Sequence, residues 1–317
     1  MAPDRGRSPL VSVVVPTYGR PKYLSDAAQS VLDQTHDRVE LIIVDDHSPE
    51  PVGPLLSDLD VGPAASVTCI RHEENTGANG ARNTGIRAAD GAFVAFIDDD
   101  DTWHETKLER QLDRFADPEV GLVYTGQRYV TGDRVNHVLR PSVRGDVTEA
   151  LLTGAPFGTF STLMVRASVV DDVGLLDERF PCWQDREWPI RLSTACRVEA
   201  VDDPLVDHRM ADHDQISDDL EAKRDVAYPL FVETFRPLAA EYGRTTVRKM
   251  VASRASVVAT SALKVGRYGD ARRFALRALR AWPLSAQPYL TFALSLGGRP
   301  AFTAAQYTKR AVGRHFR

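Results

Sequence analysis

The chain has 317 residues, enough for one large catalytic domain or two smaller ones with a sizeable apolar core. Its composition, 43% hydrophobic and 26% charged, is typical of a soluble globular protein, and its three scattered cysteines exclude a disulfide framework and favour a reducing cytoplasm. No run approaches the roughly 20 apolar residues that span a bilayer, and the N-terminus lacks an apolar signal segment, so we expect neither export nor an anchoring helix.

The first half of the chain alternates short apolar runs with helical stretches. Strands are predicted over Leu10–Val15, Glu40–Val44, Val67–Arg71 and Ala92–Ile97, with helices over Pro21–Asp33 and Gly77–Ala89. This alternation predicts βαβ units, and therefore an α/β fold with a mostly parallel, Rossmann-like sheet and helices on both faces. Ligands of such sheets bind outside the carboxyl ends of the strands, where polar loops of this chain lie.

The second half of the chain changes character. A predicted helix over Glu105–Phe115 is followed by predicted strands over Gly121–Tyr129 and Phe160–Val165, and long helical segments begin after about Asp218. Within those segments, Ala271–Ala281 has an apolar face opposite an arginine-rich one, which is typical of an amphipathic helix.

The net charge of −5 is unevenly distributed. Residues 264–317 contain eleven lysines and arginines and one acid, Asp270, so this basic tail carries +10 and the rest of the chain −15. The acidic remainder argues against nucleic acid as a partner. The basic tail is suited to peripheral contact with an anionic membrane, with solvated helix faces as the alternative.

Four consecutive carboxylates, Asp98–Asp101, follow the fourth predicted strand. They repel one another unless a cation or solvent relieves the charge, and Mg²⁺ typically binds one or two such carboxylates together with phosphate oxygens. The run therefore predicts a metal–diphosphate site. The alternatives are a solvated acidic loop, or a cap in which Asp101 precedes the helix that starts near Glu105.

A second acidic pair, Asp45 and Asp46, follows the strand Glu40–Val44 in the same way. A carboxylate at this position can accept hydrogen bonds from a nucleobase or a ribose. Asx-turn capping is the alternative explanation for one of the pair.

Several segments follow one another in an order that is comparable with a known family. In the first half they are Val11–Arg20 (VSVVVPTYGR), Glu40–Ser48 (ELIIVDDHS), Asn75–Ile86 (NTGANGARNTGI) and Ala95–Trp103 (AFIDDDDTW). In the second half they are Gly174–Phe180 (GLLDERF), Gln184–Leu192 (QDREWPIRL) and Arg209–Ser217 (RMADHDQIS). From Val11 to about Ser217 the chain thereby resembles the family 2 glycosyltransferases of GT-A fold.

The resemblance implies a site for a nucleotide-diphospho-sugar donor. The implied donor-binding residues are Pro16, Thr17, Tyr18, Asp46, Arg82, Asp98 and Asp99. Asp46 would face the base, Asp99 would lie near the ribose, and Arg82 would lie near the diphosphate. Asp100 would bind a divalent metal, Mn²⁺ or Mg²⁺, and His213 would touch the metal or the diphosphate. A surface ion pair is the alternative for Arg82, and a polar loop position for His213.

The resemblance also implies an acceptor side. Asp185 matches the position of the general base, and Trp183 and Gln184 lie beside it in sequence. Gln184 replaces a usual glutamate, and Trp188-Pro189 stands where Leu-Trp is expected, so we expect a reshaped acceptor pocket. The alternatives are a helix cap for Asp185 and ordinary core packing for Trp183, as for Tyr18 and Trp103.

These residues together predict an inverting glycosyltransferase. Its GT-A catalytic domain would cover residues 1–217, with a nucleotide-sugar half over about 9–103 and an acceptor half over about 104–217, and a helical extension would cover 218–317. The metal would stabilise the leaving diphosphate while Asp185 deprotonates an acceptor hydroxyl. Acceptors of the family range from polysaccharides to polyprenyl-phosphate lipids and proteins. The basic tail favours a sugar acceptor linked to polyprenyl phosphate, at the cytoplasmic face of the cell membrane.

Two other functions stay open from the sequence. A nucleotidyltransferase would also place carboxylates on a metal, although Pro16–Gly19 stands where such enzymes usually have a Gly-rich phosphate loop. A nucleotide-sugar-binding subunit without turnover is favoured by the departures at Gln184 and Pro189. The joint presence of four aspartates argues against it: Asp46, Asp98, Asp100 and Asp185. A Rossmann dehydrogenase is excluded because no G-x-G-x-x-G follows the first strand.

Overall fold

A computed structural model describes residues 8–210 and 219–304 of the chain. The chain divides into two compact units. Described residues 8–151, 155–179 and 184–210 belong to the first unit, and residues 152–154, 180–183 and 219–304 belong to the second. The predicted boundary between residues 217 and 218 lies outside the described residues.

The first unit is built on a mixed β-sheet. Its strands are β1 (Val11–Thr17), β2 (Val39–Asp45), β3 (Ser66–Arg71), β4 (Phe93–Phe96), β5 (Thr102–Trp103), β6 (Val120–Thr131), β7 (Arg134–Leu139), β8 (Leu163–Arg166) and β9 (Arg197–Arg209). They are ordered β3-β2-β1-β4-β8-β6-β9-β5, and β7 pairs with β6. Strands β3, β2, β1 and β4 run parallel, as predicted, and antiparallel β8 separates them from the parallel pair β6 and β9.

Helices lie along the chain in both units. In the first unit they are α1 (Pro21–Leu32), α2 (Gly77–Ala88), α3 (Lys107–Leu112), α4 (Thr148–Leu152, whose last residue belongs to the second unit), α5 (Ala167–Val173) and α6 (Gln184–Ser193). In the second unit they are α7 (Tyr228–Glu241), α8 (Arg244–Lys264), α9 (Tyr268–Ala281) and α10 (Ala286–Leu296). Within the described ranges, none of the helices combines the length and apolar character that a membrane span requires.

The central strands form because their residues are apolar on both faces. Residues 11, 13, 14 and 15 of β1 are valines with no solvent exposure, as a strand covered by helices on both faces requires. On one face, α1 packs Leu24 and Val31 into the same apolar core. Helix α2 approaches β1 so closely that a Cβ atom at Gly85 would lie 2.3 Å from Cγ1 of Val14. A glycine is therefore needed where this helix crosses the sheet.

Three sequence predictions were wrong in detail. Pro16 and Thr17 belong to β1 rather than to a loop, because they pair with Val44 and Asp45 of β2 after the pairing with β4 has ended. The predicted strand over 160–165 begins with a 3₁₀ turn, Phe160–Thr162, and the strand starts at Leu163. The helix predicted from Glu105 begins at Lys107 and gives way at Asp113 to another 3₁₀ turn.

The helical unit has its own apolar packing. Helix α9 buries Ala271, Phe274, Ala275 and Ala278, which confirms the amphipathic prediction for this segment. A π-helical stretch, Ala222–Ala227, immediately precedes α7. The rings of Tyr228 and Phe274 meet edge to face, with centroids 5.3 Å apart.

Candidate functional site

The carboxyl ends of β1, β2 and β4 bring the predicted polar loops to one edge of the sheet. Strand β1 lies between the other two, so the residues after Thr17 adjoin both acidic loops. The acidic loop after β4 closes on itself, since the backbone N–H of Asp101 donates to the carbonyl oxygen of Asp98 at 3.0 Å. This turn directs consecutive carboxylates toward different partners.

Asp98 is paired with Arg82 of α2. The Nη2 atom of Arg82 lies 2.5 Å from Oδ1 of Asp98, and the guanidinium stacks on the Phe160 ring at 4.2 Å. Arg82 is 4% exposed, which excludes the surface alternative, and its Nε and Nη1 atoms have no hydrogen-bond partner among the described residues. Because an unsatisfied buried cationic donor is costly, these two N–H groups are suited to an anion such as a phosphate.

Asp99 and Asp100 share a second cation, Arg20. Its Nη1 atom lies 2.7 Å from Oδ2 of Asp100 and 3.2 Å from Oδ1 of Asp99. The hydroxyl of Thr17 donates to Asp99 at 2.7 Å, so two of the predicted donor-binding residues are brought together. Burial raises the pKa of Asp99 to about 7, against the opposing effects of Arg20 and Thr17.

Asp101, the fourth carboxylate, is fully buried and has a different set of partners. It lies 3.0 Å from Nδ1 of His208 and accepts hydrogen bonds from the Ser161 hydroxyl at 2.5 Å and the Arg209 backbone N–H at 3.3 Å. Burial lowers the pKa of His208, but the hydrogen bond and the charge of Asp101 outweigh this and raise it to about 9. Burial also raises the pKa of Asp101. The two side chains form a buried histidine–aspartate ion pair, and the capping alternative for Asp101 was wrong.

The acidic pair after β2 holds the neighbouring loop together. Asp45 accepts hydrogen bonds from the backbone N–H groups of Ser48 and Val52 and pairs with Arg71. Burial raises the pKa of Asp45, but these hydrogen bonds outweigh it and keep that pKa below its usual value. Asp45 is thus the structural member of the pair.

Asp46, which follows β2, places its carboxylate at the N-terminus of α2. Its carboxylate accepts the backbone N–H groups of Thr76 and Gly77, both at 2.8 Å, and lies 2.8 Å from Nδ1 of His72. The helix that carries Arg82 therefore begins on Asp46, because the first N–H groups of a helix need acceptors from outside it. The base-facing role of Asp46 stays a prediction.

The asparagine after Arg82 fixes α2 to the segment Gly174–Phe180. Asn83 accepts the Leu176 N–H at 2.9 Å and donates to the Leu176 carbonyl oxygen at 3.0 Å and to Glu178 at 2.8 Å. Within the sequence Ala-Arg-Asn, the arginine thus pairs with the acidic loop, and the asparagine that follows it anchors the helix by hydrogen bonds.

A divalent cation fits the oxygen ligands of the acidic loop. Asp98 and Asp100 present carboxylate oxygens, which Mg²⁺ and Mn²⁺ prefer, and each is already paired with a guanidinium group. Among the described residues, no group of three or more His, Cys, Asp or Glu side chains could hold a metal ion by itself. One or two carboxylates with phosphate oxygens suffice for Mg²⁺, so the set fits a metal that arrives with a diphosphate. His213 lies outside the described residues.

The predicted base lies near the start of α6. Asp185 is the second residue of this helix rather than its cap, its side chain is 30% exposed, and Nε of Arg186 lies 3.6 Å away. The Oε1 atom of the preceding Gln184 is buried, with no hydrogen-bond partner in the part of the chain that the structure describes. One carboxylate and one amide oxygen are therefore available at this end of the helix.

The other predicted residues differ in exposure. Tyr18 is 50% exposed, so core packing was wrong for it, whereas Pro16 is half-buried. Trp103 is buried and donates through Nε1 to the Ser161 carbonyl oxygen, as the packing alternative expected. In the second unit, buried Trp183 meets the Phe231 ring edge to face at 6.0 Å and adopts φ 69°, a conformation uncommon for residues other than glycine.

Sequence reasoning missed Arg20, Ser161 and His208. Arg20 follows β1, the neighbour of β4, so a correct strand order would have placed it beside the acidic loop. Ser161 donates to Asp101 and accepts the Asp98 N–H at 3.0 Å, but no sequence signal links it to residues some sixty positions earlier. The only indication of His208 was that a buried Asp101 needs a cation.

Comparisons with known proteins bear on the family and the fold of the chain. A family sequence profile described as "Glycosyl transferase family 2" matches residues 12–174. The putative teichuronic acid biosynthesis glycosyltransferase TuaG of Bacillus subtilis is 39% identical over 126 residues, 39% of this chain and 49% of TuaG. The Escherichia coli protein WfgD, a UDP-Glc:alpha-D-GlcNAc-diphosphoundecaprenol beta-1,3-glucosyltransferase, is 30% identical over 126 residues, 40% of this chain and 49% of WfgD. The chain thus matches about half the length of these relatives.

Two solved structures are similar in fold. S. aureus TarS 1-349 in complex with UDP-GlcNAc has a TM-score of 0.58 at 16% identity, covering 91% of this chain and 80% of that one. The mannosyltransferase PcManGT from Pyrobaculum calidifontis, in complex with GDP-Man and Mn²⁺, has a TM-score of 0.56 at 18% identity, covering 96% and 88%. The predicted GT-A type of fold is therefore confirmed.

Proposed function

Because the chain belongs to glycosyl transferase family 2, we propose that it moves a sugar from a nucleoside diphosphate to an acceptor hydroxyl with inversion at the anomeric carbon. The observation that supports this most directly is the acidic loop Asp98–Asp100. It lies at the carboxyl end of β4, with Asp99 and Asp100 buried and Asp98 partly exposed, and it is paired with two guanidinium groups, those of Arg20 and Arg82. Such a group of opposite charges suits a diphosphate that arrives with a cation.

At the donor end, Arg82 would bind the diphosphate. Its Nε and Nη1 atoms are buried and have no hydrogen-bond partner among the described residues, and stacking on Phe160 restrains the plane of the guanidinium. A bound divalent cation, Mn²⁺ or Mg²⁺, held by Asp100 with His213 as a further candidate, would supply Lewis-acid stabilisation of the leaving phosphate. Thr17 would hold Asp99 in place beside the ribose through their 2.7 Å hydrogen bond.

At the acceptor end, Asp185 would take the proton of the attacking hydroxyl. Its side chain is 30% exposed and has no hydrogen bond of its own to another described residue, so its oxygens are accessible to an acceptor. In a single displacement, the hydroxyl attacks the anomeric carbon from the face opposite the diphosphate, and a carboxylate on that face acts as general base. Gln184, and Trp183 before it in sequence, are proposed to contact the acceptor.

The division of these roles along the chain is also part of the proposal. Residues 1–217 would form the catalytic domain, with donor functions before about residue 103 and acceptor functions after it, and residues 218–317 would form a helical extension. A subunit that binds donor without turnover is the second candidate, since Gln184 replaces the usual glutamate. Donor hydrolysis that is lost in Asp100→Ala would exclude this second candidate.

The acceptor is proposed to be lipid-linked. WfgD is named for a diphosphoundecaprenol-linked acceptor, and residues 264–317 of this chain carry a net charge of +10. A polybasic segment is attracted to anionic head groups, so we propose peripheral contact at the cytoplasmic face of the membrane. Flotation with anionic vesicles at low salt tests this, with neutral vesicles as the control, and absence of binding to the anionic vesicles contradicts it.

Calorimetry with free nucleotides tests the donor site. UDP, GDP and dTDP are titrated into the protein with Mn²⁺, Mg²⁺ or EDTA, and one of them is expected to bind only with metal. Asp100→Ala should abolish this binding. The control Asp203→Ala should not, because it removes a carboxylate that is 48% exposed and about a hundred residues from Asp100 in sequence. If no nucleotide binds to the wild type under any of these conditions, the proposal is wrong.

A further inference from the structure

The second unit contains a concave site lined almost entirely by arginines. A cavity of about 360 Å³ is lined by Arg224, Arg273, Phe274, Arg277 and Arg280. Three of these arginines lie on α9 at spacings of four and three residues and therefore share one face of the helix. The volume lies within the range of small-molecule sites, roughly 300–1,000 Å³.

Among the residues that the structure describes, carboxylates neutralise the positive charge of the cavity only in part. Arg224 pairs with Asp225 at 2.5 Å and with Asp270 at 2.9 Å, and Arg273 lies 3.2 Å from Asp270. Arg277 and Arg280 have no carboxylate within 4 Å among the described residues. Four guanidinium groups thus face two carboxylates, and the excess positive charge in a concave site attracts anions.

Aromatic rings hold two of the guanidinium groups in place. The Arg277 guanidinium lies 5.3 Å from the Tyr228 ring centroid and 5.8 Å from that of Phe274. Arg273 lies 5.1 Å above the same Phe274 ring, which is 3% exposed. Stacking restrains a flexible side chain, and the parallel N–H groups of a guanidinium match two phosphate oxygens.

The fourth arginine comes from an irregular backbone segment. Arg224 lies in the π-helical stretch Ala222–Ala227, and such π turns occur frequently at functional sites. The alternative is that these arginines are simply the solvated face of a helix. That alternative explains neither the concave shape nor the aromatic rings beneath the guanidinium groups. Arg280, in the last turn of α9, also complements the helix dipole, so the argument depends on Arg273, Arg277 and their rings together.

We propose that Arg224, Arg273, Arg277 and Arg280 form a second anion site, which binds a phosphate or diphosphate group. The ligand is the phosphate part of a lipid head group or a free phosphorylated solute, since both present the same oxygens. This site goes beyond the proposed transfer reaction, because its residues include none of those assigned to the donor, the metal or the general base.

Calorimetry with inorganic pyrophosphate in EDTA tests the site without a metal-dependent donor. The variant Arg277→Gln/Arg280→Gln removes two charges from the cavity, and Lys264→Gln/Arg299→Gln removes two exposed charges from the same basic tail. We expect the first pair to weaken binding at least about tenfold and the second pair less than about twofold. Equal losses in both variants, or no binding to the wild type, would overturn the proposal.

Two further measurements separate this site from the others. Asp100→Ala should bind pyrophosphate in EDTA as the wild type does, and a loss there would assign the binding to the donor loop instead. Arg277→Gln/Arg280→Gln should still bind nucleotide with metal and unfold at the wild-type temperature. If that variant does not fold, Arg280→Gln alone replaces it, with an expected loss of at least about threefold in pyrophosphate affinity.

Vesicle flotation identifies the source of the phosphate group. If phosphatidylglycerol vesicles bind and excess pyrophosphate or the cavity variant releases them, the ligand is a lipid head group. If the protein binds pyrophosphate but not these vesicles, the ligand is a soluble phosphorylated compound. Failure of nucleotide binding together with normal pyrophosphate binding would contradict the proposed transferase site and leave this inference intact.

Discussion

The substitution His208→Gln should destabilise the first unit strongly, because it leaves the fully buried Asp101 without its cation. The carboxylate would keep only the Ser161 hydroxyl and the Arg209 backbone N–H as donors. Removing one partner of a buried ion pair typically costs about 3–5 kcal/mol, mainly because the remaining charge stays desolvated. The side chains here are 17% and 0% exposed, so solvent screening reduces this cost little.

A second ion pair of the same unit provides the matched control. Arg110 and Asp203 are 45% and 48% exposed in their side chains, and exposed pairs contribute about 0–1 kcal/mol. Thermal unfolding is the assay, because 1 kcal/mol corresponds to roughly 2–4 °C for 150–250 residues. His208→Gln should therefore lower the melting temperature by roughly 6–20 °C, and Arg110→Gln by less than about 4 °C.

Salt makes the comparison sharper. Exposed charges are screened at high ionic strength, whereas buried pairs are screened much less, so the effect of His208→Gln should persist in concentrated NaCl. Similar small losses in both variants would refute the assignment of Asp101 and His208 as a buried ion pair. A large loss that disappears with salt would refute it equally.

Three further predictions concern the packing and titration of the fold. Gly85→Ala should destabilise the protein by about 1–3 kcal/mol in thermal unfolding, because its Cβ atom would overlap a buried valine, whereas Gly269→Ala, with nothing within 4 Å, should be neutral or stabilising. The ionised carboxylate of Asp45 stabilises the fold above about pH 4, and this contribution is lost as the pH falls through the lowered pKa of Asp45. The variant Asp45→Asn lacks this contribution, so its melting temperature should fall less between neutral and acidic pH than that of the wild type. Iodoacetamide at pH 8.5 should modify the exposed Cys69 before Cys196, because burial raises the pKa of the Cys196 thiol to about 11, and equal rates by mass spectrometry would contradict this.

The sequence was sufficient for most of the strands and helices that surround the acidic loop, since their signals are local. The valines of β1 and the apolar run of β2 predict buried strands by composition alone. Strand β9 and the antiparallel position of β8 were not predicted, because pairing between segments distant in sequence leaves no periodic signal in either. Likewise, the family resemblance that identified Arg82 did not reveal Arg20, whose partner Asp100 is eighty residues away.

The four aspartates show most clearly what local sequence leaves open. As a run of identical residues, Asp98–Asp101 predicts only charge repulsion and a need for cations. The fold assigns a different cation to each region of the run, with Arg82 at the first carboxylate, Arg20 at the second and third, and His208 at the fourth. A metal that arrives with a diphosphate would compete with the partly exposed guanidinium of Arg20, whereas the fourth carboxylate is fully buried against His208, Ser161 and the Arg209 backbone. Substituting Asp100 should therefore weaken ligand binding, whereas substituting Asp101 should mainly lower the stability of the fold.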